Sequence, residues 1–365
     1  MIAFIVGTTA ELIKIAPVYH ELSDRGRDVE IWYTGQHVEE LPAALGDLDL
    51  PRPAVWLVPE RGARNLARPV DAPRWALRLA RTVLSQRGRL RARLRRDGRQ
   101  PWVLVHGDTF TAPLGALVGR LLGARVGHVE AGMRSGSLLH PFPEEVNRRV
   151  AAHLVDVHFA PSANEAHNLR HRRGAVVVTG ANTIVDAVRF ALSRPSSSTL
   201  VLPERYAVAT LHRFELVSKE DLYRTALELL RDASRNVPIV YFAGASERER
   251  IAQYGLDGLF DGERFRIEQK LSYVDFMPVL ARAQYVVTDS GGLQEESNHL
   301  GIPCAIHRAK TERHEGEGSQ MVLTRYDAGR LRRFLETYEQ HRIEPSLDDF
   351  HPSRQIADTV DLLGA

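Results

Sequence analysis

The chain has almost no cysteine and no long apolar run. Its 365 residues include one cysteine, Cys304, which excludes an internal disulfide and a cysteine-based zinc site. No stretch of about 18 apolar residues is present, so no transmembrane helix is expected. The first residues lack a basic segment and reach a charge at Glu11, which indicates a strand followed by a helix instead of a secretion signal. Together these absences predict a cytoplasmic protein.

An excess of one charge is also lacking over the chain as a whole. The formal net charge is +2, too small for a global attraction to nucleic acid or to a membrane. The exception is residues 87–99, which hold seven arginines and are interpreted either as a solvated helix end or as a patch facing an anionic partner. No zinc finger, RNP signature or interleaved aromatic residues accompany them, so no nucleic-acid partner is predicted.

What the chain does have is an alternation of short apolar runs with amphipathic helical stretches. Runs such as Ile2–Val6, Trp102–His106 and Val126–Glu130 are predicted to be buried strands, and the pattern returns after residue 200. This alternation is typical of an α/β fold with parallel sheets covered by helices on both faces. There are too many strands for one sheet, and residues 193–203 have the composition of a linker. The sequence therefore predicts two Rossmann-like domains, residues 1–190 and 200–345, and a terminal helix within 346–365.

Polar residues follow several predicted strands of the first half. In open α/β sheets ligands bind beyond the carboxyl ends of the strands, and with two domains the cleft between them is the expected site. The segments are Gly7-Thr8-Thr9-Ala10-Glu11, His106-Gly107-Asp108-Thr109, Gly127-His128-Val129-Glu130 and the helix start Pro143-Glu144-Glu145. Structural interpretations remain open beside the catalytic one. Asp108 is also suited to cap a helix, and Glu130 to pair with Arg134 or Arg148.

The second half carries the strongest phosphate signal. Ser290, Gly291 and Gly292 follow an apolar strand and open a helix, where small residues let a diphosphate approach free backbone N–H groups. Glu296, one turn further, is placed to accept both hydroxyls of a ribose. His212 and Arg213 end another strand. Thr311-Glu312-Arg313 follows the strand that comes after the Ser290–Gly292 segment. Three carboxylates and a histidine facing a phosphate-binding helix indicate acid–base chemistry on a nucleotide-linked substrate.

Taken in order, these motifs resemble the bacterial non-hydrolysing UDP-N-acetylglucosamine 2-epimerases. The similarity runs over most of the chain, and it rests on GTTAELIKIAPV, TGQH, VHGDT, GHVEAGMRSG, HPFPEEVNRR, LHRFE, SGGLQEES and TER. It implies a GT-B-like fold of two Rossmann domains and a homodimer. It also implies inversion at C2 of the sugar, through elimination of UDP to 2-acetamidoglucal and re-addition of UDP. No metal or cofactor is predicted, since no pair of histidines has convincing metal spacing.

The resemblance also implies roles for individual residues. The catalytic groups would be Asp108, Glu130, Glu144 and His212. The substrate-binding groups would be Thr8, Lys14, Arg134, Arg213, Ser290, Gly291, Gly292, Glu296 and Arg313. Gln36 and His37 would take part in binding a second UDP-GlcNAc as an activator.

The sequence departs from the family pattern at several of these segments. The first loop reads Thr9-Ala10 where the family has Arg-Pro, and Leu211 stands where a glycine precedes the histidine. Val38 replaces the arginine after Gln36 and His37, and residues 56–99 lack the usual Gly-Gln-Ser-Leu segment. Three activities therefore stay open: a 2-epimerase, a hydrolysing relative that releases N-acetylmannosamine and UDP, and a glycosyltransferase on the same scaffold.

Overall fold

The apolar runs form the strands of two separate parallel sheets. The computed structural model describes residues 1–60, 71–136, 142–311, 316 and 318–364. These residues divide into unit 1, which comprises Met1–Ala187 and the segment that begins at Phe350, and unit 2, which comprises Val188–Asp349. Among the described residues, no helix is long and apolar enough to cross a membrane.

Unit 1 is built on strands that are almost entirely apolar. Its described strands are β1 (Ile2–Val6), β2 (Val29–Tyr33), β3 (Val55–Trp56), β4 (Trp102–His106), β5 (Arg125–Val129), β6 (Val157–Ala160) and β7 (Ala175–Val178). They lie parallel in the order β3-β2-β1-β4-β5-β6-β7. Every residue of β1 and β4 is buried because helices cover both faces of the sheet.

The helices of unit 1 alternate with these strands. They are α1 (Thr9–Asp24), α2 (Leu41–Asp47), α3 (Ala72–Ser85), α4 (Arg87–Leu94), α5 (Thr111–Leu122), α6 (Glu144–Leu154), α7 (Ala163–Asn168) and α8 (Ile184–Leu192), in which the chain passes to unit 2 at Val188. The last helix, α15 (Pro352–Leu363), returns to unit 1 and packs on α1. Asp361 forms ion pairs there with Arg25 and Arg27.

Unit 2 repeats the same construction. Its described strands are β8 (Ala207–Thr210), β9 (Ile239–Ala243), β10 (Phe265–Gln269), β11 (Val286–Thr288), β12 (Cys304–Ile306) and β13 (Met321–Leu323), parallel in the order β10-β9-β8-β11-β12-β13. Its helices are α9 (Phe214–Val217), α10 (Glu220–Ser234), α11 (Ala245–Gln253), α12 (Tyr273–Ala281), α13 (Gly291–His299) and α14 (Ala328–Thr337). The prediction of an α/β fold with Rossmann-like parallel sheets is confirmed.

Strand β5 ends one residue earlier than the sequence predicts. Val129 is its last residue. Glu130 has a positive φ of 63°, a left-handed backbone conformation that residues other than glycine rarely adopt. The chain resumes its pairing at once, because the Ala131 amide donates to the Phe159 carbonyl over 2.9 Å. The prediction that Glu130 closes the strand was therefore wrong: a local backbone turn at this residue takes it out of the strand.

Candidate active site

The first loop of unit 1 is organised around the buried carboxylate of Glu11. Its Oε2 accepts the backbone amides of Gly7 and Thr8 at 2.8 and 2.9 Å, and its Oε1 accepts the Thr109 hydroxyl at 2.7 Å. Thr8 in turn caps α1 and completes a capping box with Glu11. Burial raises the pKa of Glu11, and the Thr109 hydroxyl opposes that shift. Glu11 therefore ties the loop after β1 to the loop after β4, which carries Asp108.

The loop that carries Asp108 is held from two sides. Gly107 has a φ of 62°, and its carbonyl oxygen forms a 2.7 Å hydrogen bond with His128 Nε2. Burial lowers the pKa of His128 to about 3, so the ring is neutral and donates Nε2–H to this carbonyl. On the other side, Asn147 Nδ2 donates to the Asp108 carbonyl at 2.9 Å and Arg148 forms an ion pair with the Asp108 carboxylate. Asp108 is thus fixed in backbone and side chain.

Glu130 forms a separate buried cluster beside this loop. Lys14, from α1, forms an ion pair with its carboxylate, and Asn182 Nδ2 donates a hydrogen bond to the same oxygen. His106 Nε2, at the end of β4, lies 3.5 Å from that oxygen. The alternative interpretation, a pairing of Glu130 with Arg134 or Arg148, is not the one observed, because Lys14 faces Glu130 and Arg148 is engaged with Asp108.

A pocket of about 320 Å³ opens at this edge of unit 1. It brings together five of the residues singled out in the sequence: Thr8, Gln36, His37, Asp108 and Glu144. Its other lining residues are Ala10, Thr109, Phe110, Pro143 and Asn147. Gln36 and His37, expected at an activator site, therefore share one pocket with two of the expected catalytic carboxylates. Glu130, Lys14 and Arg134 do not line it.

Arg134 lies away from this pocket in a half-buried position. Its Nη1 donates to the Met133 carbonyl at 2.6 Å, and burial lowers its pKa. Nearby, the fully buried Glu145 accepts the Ser135 amide at 3.0 Å and Arg149 Nε at 2.8 Å. These contacts fix the start of α6, where Glu144 is the first residue. Glu145 is therefore a structural neighbour of Glu144.

In unit 2 the corresponding edge is organised by Asp289. Its Oδ2 accepts the backbone amides of His212 and Arg213 at 2.9 and 2.8 Å, and its Oδ1 lies 3.1 Å from His212 Nδ1. Burial lowers the pKa of His212 and raises that of Asp289, although the contact between them opposes both shifts. A neutral imidazole that donates Nδ1–H to Asp289 leaves Nε2 as the acceptor directed elsewhere.

The phosphate-type segment after β11 has the predicted form. Ser290 is the N-cap of α13, and its Oγ accepts the Leu293 amide at 3.5 Å. Of the residues that the structure describes, a Cβ built on Gly292 would have only Ser290 Oγ near it, at 3.8 Å, so these residues leave the space above the helix start open to a ligand. Glu296 lies in the same helix and is buried. Arg313 lies outside the described residues.

The sequence reasoning missed a charged pair in unit 2 close to His212. Lys270, one residue past β10, donates to Glu247 of α11 over 2.9 Å. Both act on His212, since Lys270 lowers its pKa and Glu247 raises it. Their positions after β9 and β10, at the carboxyl edge of the sheet where ligands bind, could have marked them as candidate site residues. Among the described residues no group of three or more His, Cys, Asp or Glu side chains is arranged to hold a metal ion.

The fold and these polar edges define a class of protein: α/β proteins with two Rossmann-type parallel sheets that carry carboxylates beyond the ends of their strands. Comparison with known proteins gives the family. Residues 77–356 match the sequence profile of the family described as UDP-N-acetylglucosamine 2-epimerase, and the chain belongs to this family of epimerase enzymes. The resemblance to UDP-N-acetylglucosamine 2-epimerases is confirmed.

Individual relatives agree over most of their length. The UDP-N-acetylglucosamine 2-epimerase of Bacillus subtilis is 32% identical over 323 residues, which cover 86% of this chain and 80% of that protein. The structure of the UDP-GlcNAc 2-epimerase of Methanocaldococcus jannaschii in complex with UDP-GlcNAc and UDP is 26% identical, with a TM-score of 0.75 and 99% of both chains covered. The Neisseria meningitidis enzyme bound to UDP-GlcNAc is 25% identical, with a TM-score of 0.77 and the same coverage.

Proposed function

We propose that this chain interconverts UDP-N-acetylglucosamine and UDP-N-acetylmannosamine by eliminating and re-adding UDP. The observation that carries the proposal is the pocket in which Asp108 and Glu144 lie together, in a chain of the 2-epimerase family. Relatives that bind UDP-GlcNAc and UDP support the same substrate class.

The proposed reaction needs two proton transfers and one bond that breaks and forms again. A carboxylate takes the C2 proton, and the electron pair of the C2–H bond forms a double bond between C1 and C2. The bond from C1 to the diphosphate oxygen breaks at the same time, and its electron pair leaves with UDP. The product is 2-acetamidoglucal. A carboxylic acid then delivers a proton to the opposite face of C2, and the diphosphate oxygen bonds to C1 again. Nothing is consumed, and only the configuration at C2 changes.

The residues of unit 1 suit the two proton transfers. Asp108 and Glu144 come from different elements, the loop after β4 and the first turn of α6, and therefore offer two acid–base groups to one ligand. Glu130 would be the third carboxylate, with Lys14 balancing its charge in a buried setting. Thr8 would bind substrate in the pocket, and Arg134 is proposed as a more distant binding residue.

The residues of unit 2 suit the retention of UDP. Ser290, Gly291 and Gly292 would bind the diphosphate at the start of α13, where backbone N–H groups and the helix dipole favour an anion. His212 and Arg213, held by Asp289, would assist at the leaving oxygen. Glu296 would accept the ribose hydroxyls, and Arg313 would add a positive charge.

Gln36 and His37 are proposed to bind a second UDP-GlcNAc that activates the enzyme. They line the same pocket as Asp108 and Glu144, so a second UDP-sugar held by them would lie beside the reacting one.

The proposed test follows purified protein with UDP-GlcNAc in deuterated water by proton NMR. We expect the C2 proton to be replaced by deuterium and a UDP-ManNAc anomeric signal to grow. Free UDP with free N-acetylmannosamine would instead establish the hydrolysing activity. A spectrum that stays unchanged with and without added UDP would contradict the proposal and favour a glycosyltransferase.

The proposed homodimer would use an exposed apolar surface of unit 1. Leu117 and Leu121 of α5 and Val146 and Val150 of α6 are exposed on two helices that pack side by side. Spacing of four residues places each pair on one helix face. We expect Leu121→Glu with Val150→Glu to give a monomer in light scattering after gel filtration, and Leu84→Glu on α3 to leave the dimer intact. Identical masses for wild type and the double variant would contradict this interface.

A further inference from the structure

The proposed reaction leaves the arginine-rich part of unit 1 without a role. Residues 72–96 contain nine arginines and no aspartate or glutamate, in a chain whose net charge is only +2. Seven of these arginines lie in α3 and α4, and Arg95 and Arg96 directly follow α4. Like charges this close repel one another, and salt screens that repulsion only in part. The concentration of arginine in one segment therefore needs either partners within the chain or a partner outside it.

Two of the nine arginines have partners within unit 1. Arg93 Nη2 pairs with Glu30 Oε1 over 2.7 Å, and Arg96 pairs with Asp28 and Glu30. Two more, Arg91 and Arg95, place their guanidinium groups beside Gly123 at the C-terminal end of α5, where the helix dipole favours a cation. These four are accounted for by the fold.

Of the five remaining arginines, four have no partner of this kind within the described part of the chain. The guanidinium groups of Arg74, Arg81, Arg87 and Arg89 are exposed and form no ion pair or hydrogen bond with any residue that the structure describes. Four unopposed positive charges on two consecutive helices form a surface that attracts anions.

The outer face of α3 is also apolar. Leu77 and Leu84 are 52% and 65% exposed, and they are seven residues apart, which places them on one side of the helix. Arg74 and Arg81 precede them by three residues each, so every leucine has an arginine as its neighbour on the helix surface. The opposite face is fully used by the core, into which Trp75, Leu79 and Val83 are packed. The two exposed leucines therefore do not pack in the core of unit 1.

We propose that α3 and the start of α4 bind the surface of an anionic lipid bilayer. Exposed leucines can enter the acyl boundary of a membrane interface, while arginines beside them meet anionic headgroups. A nucleic acid is disfavoured, since the only aromatic residue of α3 and α4 is the buried Trp75, which leaves no exposed ring for a base to stack on. The surface defined by Arg74, Leu77, Arg81, Leu84, Arg87 and Arg89 is called the basic face below.

The test measures co-sedimentation of the full chain with vesicles. One vesicle type contains equal parts phosphatidylglycerol and phosphatidylcholine, and the other contains phosphatidylcholine alone. We expect binding to the first type only, with loss at high salt. Arg74→Gln with Arg81→Gln should lower the partition coefficient by about 30-fold, since each arginine near an anionic surface contributes about 1 kcal/mol. Leu77→Ser with Leu84→Ser should lower it by about tenfold or more.

A matched control removes the same charge elsewhere. Arg332 and Arg333 are exposed on α14, a helix with no large exposed apolar residue, so Arg332→Gln with Arg333→Gln should leave binding unchanged. Far-UV circular dichroism and the thermal midpoint verify that each variant is folded. The proposal is overturned if the wild type ignores anionic vesicles, if the leucine variant binds as well as the wild type, or if the control loses as much as the variants of the basic face. Binding to duplex DNA without binding to vesicles also overturns it.

Discussion

At the scale of single residues, the proposed reaction depends most on the two carboxylates in the pocket of unit 1. Asp108 and Glu144 line one cavity. Arg148 and Asn147 hold Asp108 in place, and Glu144 is the first residue of α6. A positioned acid or base contributes about 10²- to 10⁴-fold to a rate.

We therefore expect Asp108→Asn and Glu144→Gln each to lower the turnover number by about 10²-fold or more. Both replacements keep the shape of the side chain and remove its acid–base function. The measurement is the rate of UDP-ManNAc formation and of deuterium incorporation at C2. Glu228→Gln, an exposed position on α10, serves as the control and should retain the wild-type rate. Near-normal rates in both pocket variants would refute the assignment of these carboxylates.

A second expectation concerns His212 and the carboxylate that holds it. Asp289 raises the pKa of His212 by its charge and accepts two backbone amides of the same loop. Asp289→Asn should lower the turnover number by about tenfold or more, since hydrogen bonds to a charged group are worth about 1.5–3 kcal/mol. It should also move the His212 limb of the pH–rate profile to lower pH, because the opposing charge is gone.

The pH profile separates positioning from stability. A variant that is merely less stable would lose activity at all pH values without a shift of the profile. His212→Asn supplies the comparison, since the limb should vanish there. If Asp289→Asn leaves both the rate and the profile unchanged, His212 does not depend on this carboxylate.

At the scale of elements, α5 determines where the loop of Asp108 lies. The helix begins three residues after Asp108 and rests on the sheet through two glycines. A Cβ on Gly115 would lie 2.8 Å from Val105 Cγ1, and one on Gly119 would lie 2.8 Å from Val126 Cγ2. Side-chain contacts this short do not occur, so any larger residue would force the helix away from β4 and β5.

We expect Gly119→Ala to lower the free energy of unfolding by about 1–3 kcal/mol, the usual cost of overpacking, even though alanine favours helix by about 1 kcal/mol over glycine. Urea unfolding of the two proteins gives the difference. Gly88→Ala in α4 is the matched control. A Cβ there meets no described residue within 4 Å, so the same exchange should leave stability unchanged or raise it. Destabilisation of both variants alike would remove close packing as the cause.

At the scale of the whole molecule, buried neutral histidines govern the response to acid. Burial lowers the pKa of His128 to about 3 and those of His299 and His307 to about 4, from an ordinary value of 6.5. In the unfolded chain these rings take up protons below pH 6.5, whereas in the folded chain they do not. Their contribution is therefore fully present above pH 6.5 and is lost progressively as the pH falls toward 4.

We expect the free energy of unfolding to fall by up to about 1.4 kcal/mol per pH unit for each of these histidines between pH 6 and pH 4. Chemical unfolding across this range gives the slope. His299→Gln should make the slope shallower by roughly one histidine. A slope unaffected by His299→Gln would show that this ring is protonated in the folded state as well.

Much of the fold was predictable because it rests on local pattern. Runs such as Ile2–Val6 and Trp102–His106 are almost entirely apolar, as expected of a strand that is covered on both faces, and both are strands with the predicted bounds. The short edge strands β3 and β13 were not predicted, since two or three residues carry no periodicity. The family followed from the order of the motifs, and the comparisons confirm it.

The sequence by itself determined which residues stand at the ends of strands, because alternation and glycine positions are local properties. Only the tertiary structure decided their partners. Glu130 meets Lys14 across 116 positions of the chain, and Gln36 and His37 join Asp108 and Glu144 in one pocket. Lys270 reaches Glu247 in the same way. The physical reason is that strand order places β1 between β2 and β4, and distances within a sheet depend on that order and not on separation along the chain.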